Sequence, residues 1–159
     1  MARYATSAAG WTPVNHADGA SSLADASYSA WRTTTASTIQ VNEVTISGEA
    51  TSSTVNRMAV RRLSTNASTP TDVAPGKLNP LSAAAVTQGY RAATTGPTIA
   101  STDHLLHCGI NAFGGIYRWV AAPGSELWFT AQTAPSGQGV LDSISGTGVV
   151  STTVLFEEM

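Results

Sequence analysis

Side chains able to do acid–base or metal chemistry crowd together at one place, Asp103-His104-Leu105-Leu106-His107-Cys108. On a helix, His104 and His107 would share a face and could ligate one zinc ion. The run is instead predicted to be a strand, where residues three apart point to opposite faces, so the two imidazoles are not expected to converge. Cys108, close to Ile110, reads as a small buried hydrophobe with no cation nearby to generate a thiolate. Serine is abundant enough for nucleophilic triads to be drawn on paper, but no Gly-x-Ser-x-Gly elbow joins a strand to a helix. Gly146-Thr147-Gly148 lacks the third glycine and the following helix of a dinucleotide loop, and no GK[ST] phosphate loop is present. Glu157 and Glu158 are adjacent, so in a strand they point apart and make a poor acid–base pair. Asn66-Ala67-Ser68 is a glycosylation acceptor only in a secreted chain. No catalytic residue, cofactor or metal is expected from these patterns.

Binding chemistry has more to work with. Arg57, Arg61 and Arg62 form the one basic concentration. Arg57 and Arg61 are expected on one strand face, where they either grip a partner's carboxylates in bidentate fashion or stand solvated in weak ion pairs. Tyr117 and Trp119 share a strand face, and Trp128 follows; they form an aromatic platform, a subunit interface or part of the core. Trp11, Tyr28 and Trp31 stand among small residues and turn formers near the start of the chain. That segment is a loosely ordered terminus, an arm draped over its own domain, or an arm ordered against a neighbouring subunit. The last option makes Trp11, Tyr28 and Trp31, with the three arginines, the candidate interface.

The composition limits what these residues can serve. The chain has 159 residues, 42% hydrophobic and only 11% charged, against roughly 25% charged in an average soluble protein. Seven Arg and one Lys with a net charge of −2 are too few for phosphate-driven nucleic-acid binding. No apolar run of membrane-spanning length occurs. The opening MARYATSAAGWTP has no apolar h-region and is read as carrying no secretory signal. One cysteine excludes an internal disulfide framework and a thiolate zinc cluster. Disorder is disfavoured by low charge and hydrophobic runs.

The elements that must position these residues are strands. In 38–48, Ile39 and Val41 share one phase while Val44 and Ile46 share the other, which predicts a bulge at Asn42–Glu43. GEATSS at 48–53 reads as a hairpin loop leading to 54–64, where Met58 and Val60 alternate with Arg57, Ala59 and Arg61. Residues 65–104 are Pro-rich and irregular, with a type II turn at Pro75–Gly76 and one helical turn in LSAAAVTQGY. Strands at 115–121 and 126–133 are predicted to form a hairpin through Pro123–Gly124, with Leu127, Phe129 and Ala131 on one face. A second hairpin is expected from 139–144 and 149–157 through SGTG. The expectation is therefore an all-β chain: an extended N-terminal arm at 1–36 and an antiparallel, jelly-roll-like β-sandwich of seven or eight strands at 37–159.

The MARY start, IQVNEVTISG, VNRMAVRRLST with its TPT…PGKLNP loop, the GGIYRWVAAPGSELWF stretch and the FEE ending together resemble small virion structural proteins of tailed bacteriophages. The resemblance implies a capsid decoration (cement) protein on the exterior of the virion, with the major capsid protein or another virion protein as partner. A homo-oligomer, with a trimer favoured, fits local threefold positions on a shell; neither nucleic acid nor membrane is an expected partner. Small hydroxyl and methyl side chains allow close approach at little rotamer cost, and a lattice multiplies weak contacts. The competing readings are a tail-associated or carbohydrate-binding sandwich, using Tyr117, Trp119 or Trp128 on sugar rings, and a small hydrolase using His104 or His107.

Overall fold

The computed structural model describes residues 1–16, 23, 28–33, 37–65, 67–68, 70–91, 96–130 and 138–159, with the backbone alone at 100–103. Asn66 and Ala131, which enter the expectations above, lie outside the described residues. The described chain forms β1 (Ala2–Trp11), β2 (Ser29–Arg32), β3 (Thr38–Gly48), β4 (Val55–Leu63), β5 (Thr71–Val73), β6 (Gly76–Lys77), β7 (Gln88–Arg91), β8 (Ile99–Asn111), β9 (Ile116–Val120), β10 (Leu127–Thr130), β11 (Gln138–Ser145) and β12 (Val150–Glu158). No helix occurs among the described residues; at 79–82 the chain turns through an Asn79 side-chain bond to the Leu81 N–H instead of forming the expected helical turn.

Two antiparallel sheets result. The first runs β10-β3-β12-β1-β6 with β9 also on β3, and the second runs β5-β7-β2-β11-β4-β8. Their inner faces share one apolar core that includes Tyr4, Ile39, Val44 and Phe156 from the first sheet and Trp31, Met58, Val60 and Leu141 from the second. Trp31 meets Phe129 edge-on across the gap, ring centroids 5.4 Å apart. The expected β-sandwich is the architecture found.

The expected bulge is present. β12 pairs Leu155 with Glu43 and Phe156 with Val41, leaving Asn42 without an opposite residue. The extra residue flips the phase, so Ile39, Val41, Val44 and Ile46 all reach the core.

The arm is a different matter. Residues 2–11 form the ten-residue β1, paired with β12 from Ala2↔Glu158 to Trp11↔Val150, and Ser29–Arg32 pairs with β11 and β7. A boundary at 36/37 would cut through the sandwich. The alternation in ARYATSA is carried by Tyr4, Thr6 and Ala8, small or polar enough to conceal a strand whose buried face is this regular.

The predicted hairpins are also corrected. β3 and β4 lie in different sheets, as do β11 and β12, so GEATSS and SGTG carry the chain across the sandwich. β9 and β10 both pair with β3, one after the other along the same edge. Residues 121–126 leave that edge and return, opposite the Asn42 bulge, with the Ala121 N–H on the Asn42 carbonyl at 2.9 Å. Pro123–Gly124 does turn there, with Gly124 at φ +85°. Gly76 is not at positive φ; it continues into the short pairing of β6 with β1.

Crossing between sheets takes specific residues. Asn56, fully buried on β4, donates from Nδ2 to the Gly148 carbonyl at 2.7 Å and accepts the Gly148 N–H at Oδ1, 3.0 Å. Its amide thus satisfies the backbone of the crossing segment as a neighbouring strand would. Gly146, at φ +89°, passes so close to the Val55 carbonyl that a Cβ would lie 2.2 Å from it. The 70–91 segment joins the two sheets along one side, β6 on β1 and β5 and β7 extending β2.

Candidate functional site

Two polar constellations rise from this frame, one on the outer face of each sheet. On the first sheet a cleft of about 500 Å3 is lined by the polar Arg3, Gln40, Asn42, Glu43, Glu126 and Glu157 together with apolar groups that include Leu155, Val120 and Pro123. Each ionised group has a defined partner. Arg3 Nε donates to Glu157 at 2.6 Å, and Arg118 makes a bidentate pair with Glu43 at 2.7 and 2.8 Å. The Arg118 hydrogen bonds hold the Glu43 carboxyl below the usual carboxylate range, against the opposing effect of burial. Glu126 is lowered too, chiefly by its own and the Gly124 backbone N–H groups, with a smaller contribution from Gln40. Glu43 and Glu126 are thus both lowered, whereas an acid–base pair has its two groups pushed apart.

On the second sheet, Arg61 of β4 and Asp142 of β11 form a fully buried bidentate ion pair. His16 Nδ1 lies 3.6 Å from the same carboxylate, its chain held by a 2.8 Å bond from the His16 N–H to the Ser143 carbonyl. Across β4, Arg61 stands opposite His104 and Ala59 opposite His107. The β8 register skips Leu105 between them, and that irregularity puts both imidazoles on one face, with centroids 6.3 Å apart and planes at 27°. This corrects the opposed-face expectation: a strand with an extra residue no longer keeps period two. No group of three or more His, Cys, Asp or Glu placed to hold a metal ion occurs among the described residues. Cys108, inward on β8 beside Met58, is buried, and burial pushes its thiol up to about 11, far from a nucleophile's value.

The expected interface residues do not gather. Trp11 is in the core with Nε1 3.4 Å from Thr152 Oγ1, and Tyr28 and Trp31 are fully enclosed, so none is available to a neighbour. Each finds its pocket in its own chain. Arg61 is spent on Asp142. Arg62 faces the gap between the sheets, its guanidinium 5.5 Å from the Phe129 ring centre and bonded to the Trp128 carbonyl at 3.0 Å. Arg57 alone remains exposed. It and Arg61 do lie on one face, as expected, but that face is covered at Arg61 and open at Arg57. Tyr117 and Trp119 turn inward, half-buried against the main core, whereas Trp128 points outward and is 43% exposed.

Two features escaped the sequence reading. Asp142 sits in a strand that is buried on both faces, and only its isolation in GVLDSI hinted that it needs a buried cation. The cleft depends on a bulge and an excursion meeting across two strands, a coincidence of register that no local pattern encodes. Comparison with protein-family models, with curated proteins and with solved structures found no match to this chain.

Proposed function

We propose that this protein is a structural component of a tailed-bacteriophage virion that decorates the capsid exterior and braces it through protein–protein contacts. In this reading it performs no reaction, binds neither nucleic acid nor membrane, and assembles as a homotrimer on the major capsid protein or another virion protein. The strand order supports it: β1-β12-β3-β9/β10 faces β2-β11-β4-β8, which we read as jelly-roll-like. The sequence resemblance, one of texture and order, supports it as well.

The observation that carries the proposal is the 73–86 segment. It exposes Val73, Leu78, Leu81 and Val86, with Leu81 at 92%, while Met1 lines the same cleft as Leu78. Apolar side chains held out on an ordered rim are stabilised by a protein partner far better than by water. The outer face of the first sheet carries Ser7, Thr45 and Thr153, short side chains that lose little entropy on contact. Repetition over a lattice makes many such modest contacts strong together.

The test is to purify particles with the parent chain, with Leu81→Asp, and without the protein. The proposal expects density on the shell in an electron-microscopy map, loss of that density with Leu81→Asp, and earlier rupture on heating or osmotic shock when the protein is missing. Particles that never contain the chain, or that withstand both challenges equally well without it, defeat the proposal.

A further inference from the structure

Residues paired directly across adjacent strands stand on one face of a sheet, about 4.8 Å apart. The register places Arg3↔Glu157, Glu157↔Gln40 and Gln40↔Trp128 in one row over four strands of the first sheet's outer face. Beside the row, the Asn42 bulge and the 121–126 excursion bring up Asn42, Glu43 and Glu126; these line the cleft together with Arg3, Glu157 and Gln40, and Trp128 stands outside the lining, paired with Gln40. Its lining cation, Arg3, is already held by Glu157, and three carboxylates share the surface. That balance is wrong for a phosphate or a carboxylate ligand. What the cleft offers is planar hydrogen-bonding groups and an apolar lining, with an exposed indole beside its margin at the end of the row.

We propose that this cleft binds a neutral saccharide, with Trp128 as the stacking surface and Gln40, Asn42 and Glu126 reading the hydroxyls. A sugar hydroxyl both donates and accepts, and amide and carboxylate groups answer both roles at fixed angles. Its C–H faces pack on apolar and aromatic surface. Trp128 and Gln40 stand on paired strands, so little ordering remains to be done on binding. A basic peptide would find two of the three carboxylates already occupied, Glu157 by Arg3 and Glu43 by Arg118. This activity goes beyond the packing role; it shares Met1 and Leu78 with the proposed docking rim, so it is tested on the free chain, where failure to bind a glycan leaves the particle experiment undecided and the two failures stay distinguishable.

The intact chain is applied to a glycan array, and hits are titrated calorimetrically beside maltohexaose, cellohexaose, chitohexaose and an arginine-rich peptide. At least one neutral glycan is expected to bind, with Trp128→Ala and Asn42→Ala each weakening it roughly tenfold and Arg57→Ala, on the other sheet, leaving it unchanged. Trp128 is exposed and Asn42 sits in a bulge, so unchanged circular dichroism separates loss of ligand from loss of fold. Silence from every glycan, binding indifferent to both substitutions, or preference for the peptide overturns the proposal.

Discussion

The two outer faces of the sandwich solve the same problem in opposite ways. Both present an arginine gripping a carboxylate with two hydrogen bonds, Arg118–Glu43 on the first sheet and Arg61–Asp142 on the second. The first pair lies in solvent, where Arg118 keeps most of its side chain exposed; the second is completely enclosed. The second face is enclosed because it carries a core of its own, in which Tyr28, Ala30, Tyr90, Val140, Leu63 and Ile99 are closed over by Leu23 and Ala67. β11 is consequently buried on both sides, whereas β12 alternates. The same motif is thus a weak surface contact on one sheet and, on the other, a pair from which neither partner can be removed alone without a large cost.

Breaking the enclosed pair tests the contrast most severely. Asp142→Ala strands the Arg61 charge in the interior and is expected to cost about 3–5 kcal/mol in urea unfolding. Replacing both partners with leucine is expected to restore most of that loss, since the desolvation cost goes with the charges. A double variant as unstable as the single one would show that the pair organises the fold in its own right. Filling space between the sheets comes next. A Cβ on Gly139 would lie 2.3 Å from the Trp31 indole, so Gly139→Ala is expected to cost up to ~3 kcal/mol through overpacking. Asn56→Ala removes two buried bonds to Gly148 and is expected to cost about 2 kcal/mol at roughly 1 kcal/mol per bond. Its loss should also speed amide exchange at Gly148 before the sheet cores exchange.

The contrast also marks where the sequence is legible. Period-two patterns and the phase flip at Asn42 disclose strands and one bulge, because those are facts about a single strand against a single face. They are silent on which strand pairs with which. GEATSS and SGTG have hairpin chemistry, yet both span the sandwich, since turn residues specify a change of direction and not the sheet it leads to. Trp11, Tyr28 and Trp31 look like surface anchors only if the first 36 residues lack a core. Their pockets are built by Thr152, Tyr90 and Phe129, up to 141 positions away in the chain. The Leu105 irregularity hid the approach of His104 to His107 for the same reason, because it shows in the pairing of β8 with β4 and not in the composition of β8.

Arg118→Ala is the smallest perturbation and the sharpest test of the exposed side of the comparison. At neutral pH and physiological salt, its urea midpoint is expected to match the parent's within error, because solvent screens the pair and long side chains lose entropy in holding it. The pH dependence is where the pair should show itself. Arg118 lowers the Glu43 pKa in the folded chain, so the carboxylate contributes stability above the ordinary Glu range of about 4.5. That contribution fades as pH falls through the depressed folded value, once both states are protonated. At low ionic strength parent and variant should therefore differ slightly on the neutral side and converge in acid, and physiological salt should erase the difference. A gap that instead widens toward acid would mean that Glu43 is stabilised in its protonated form. The outer face of the first sheet would then be as sheltered from water as the second.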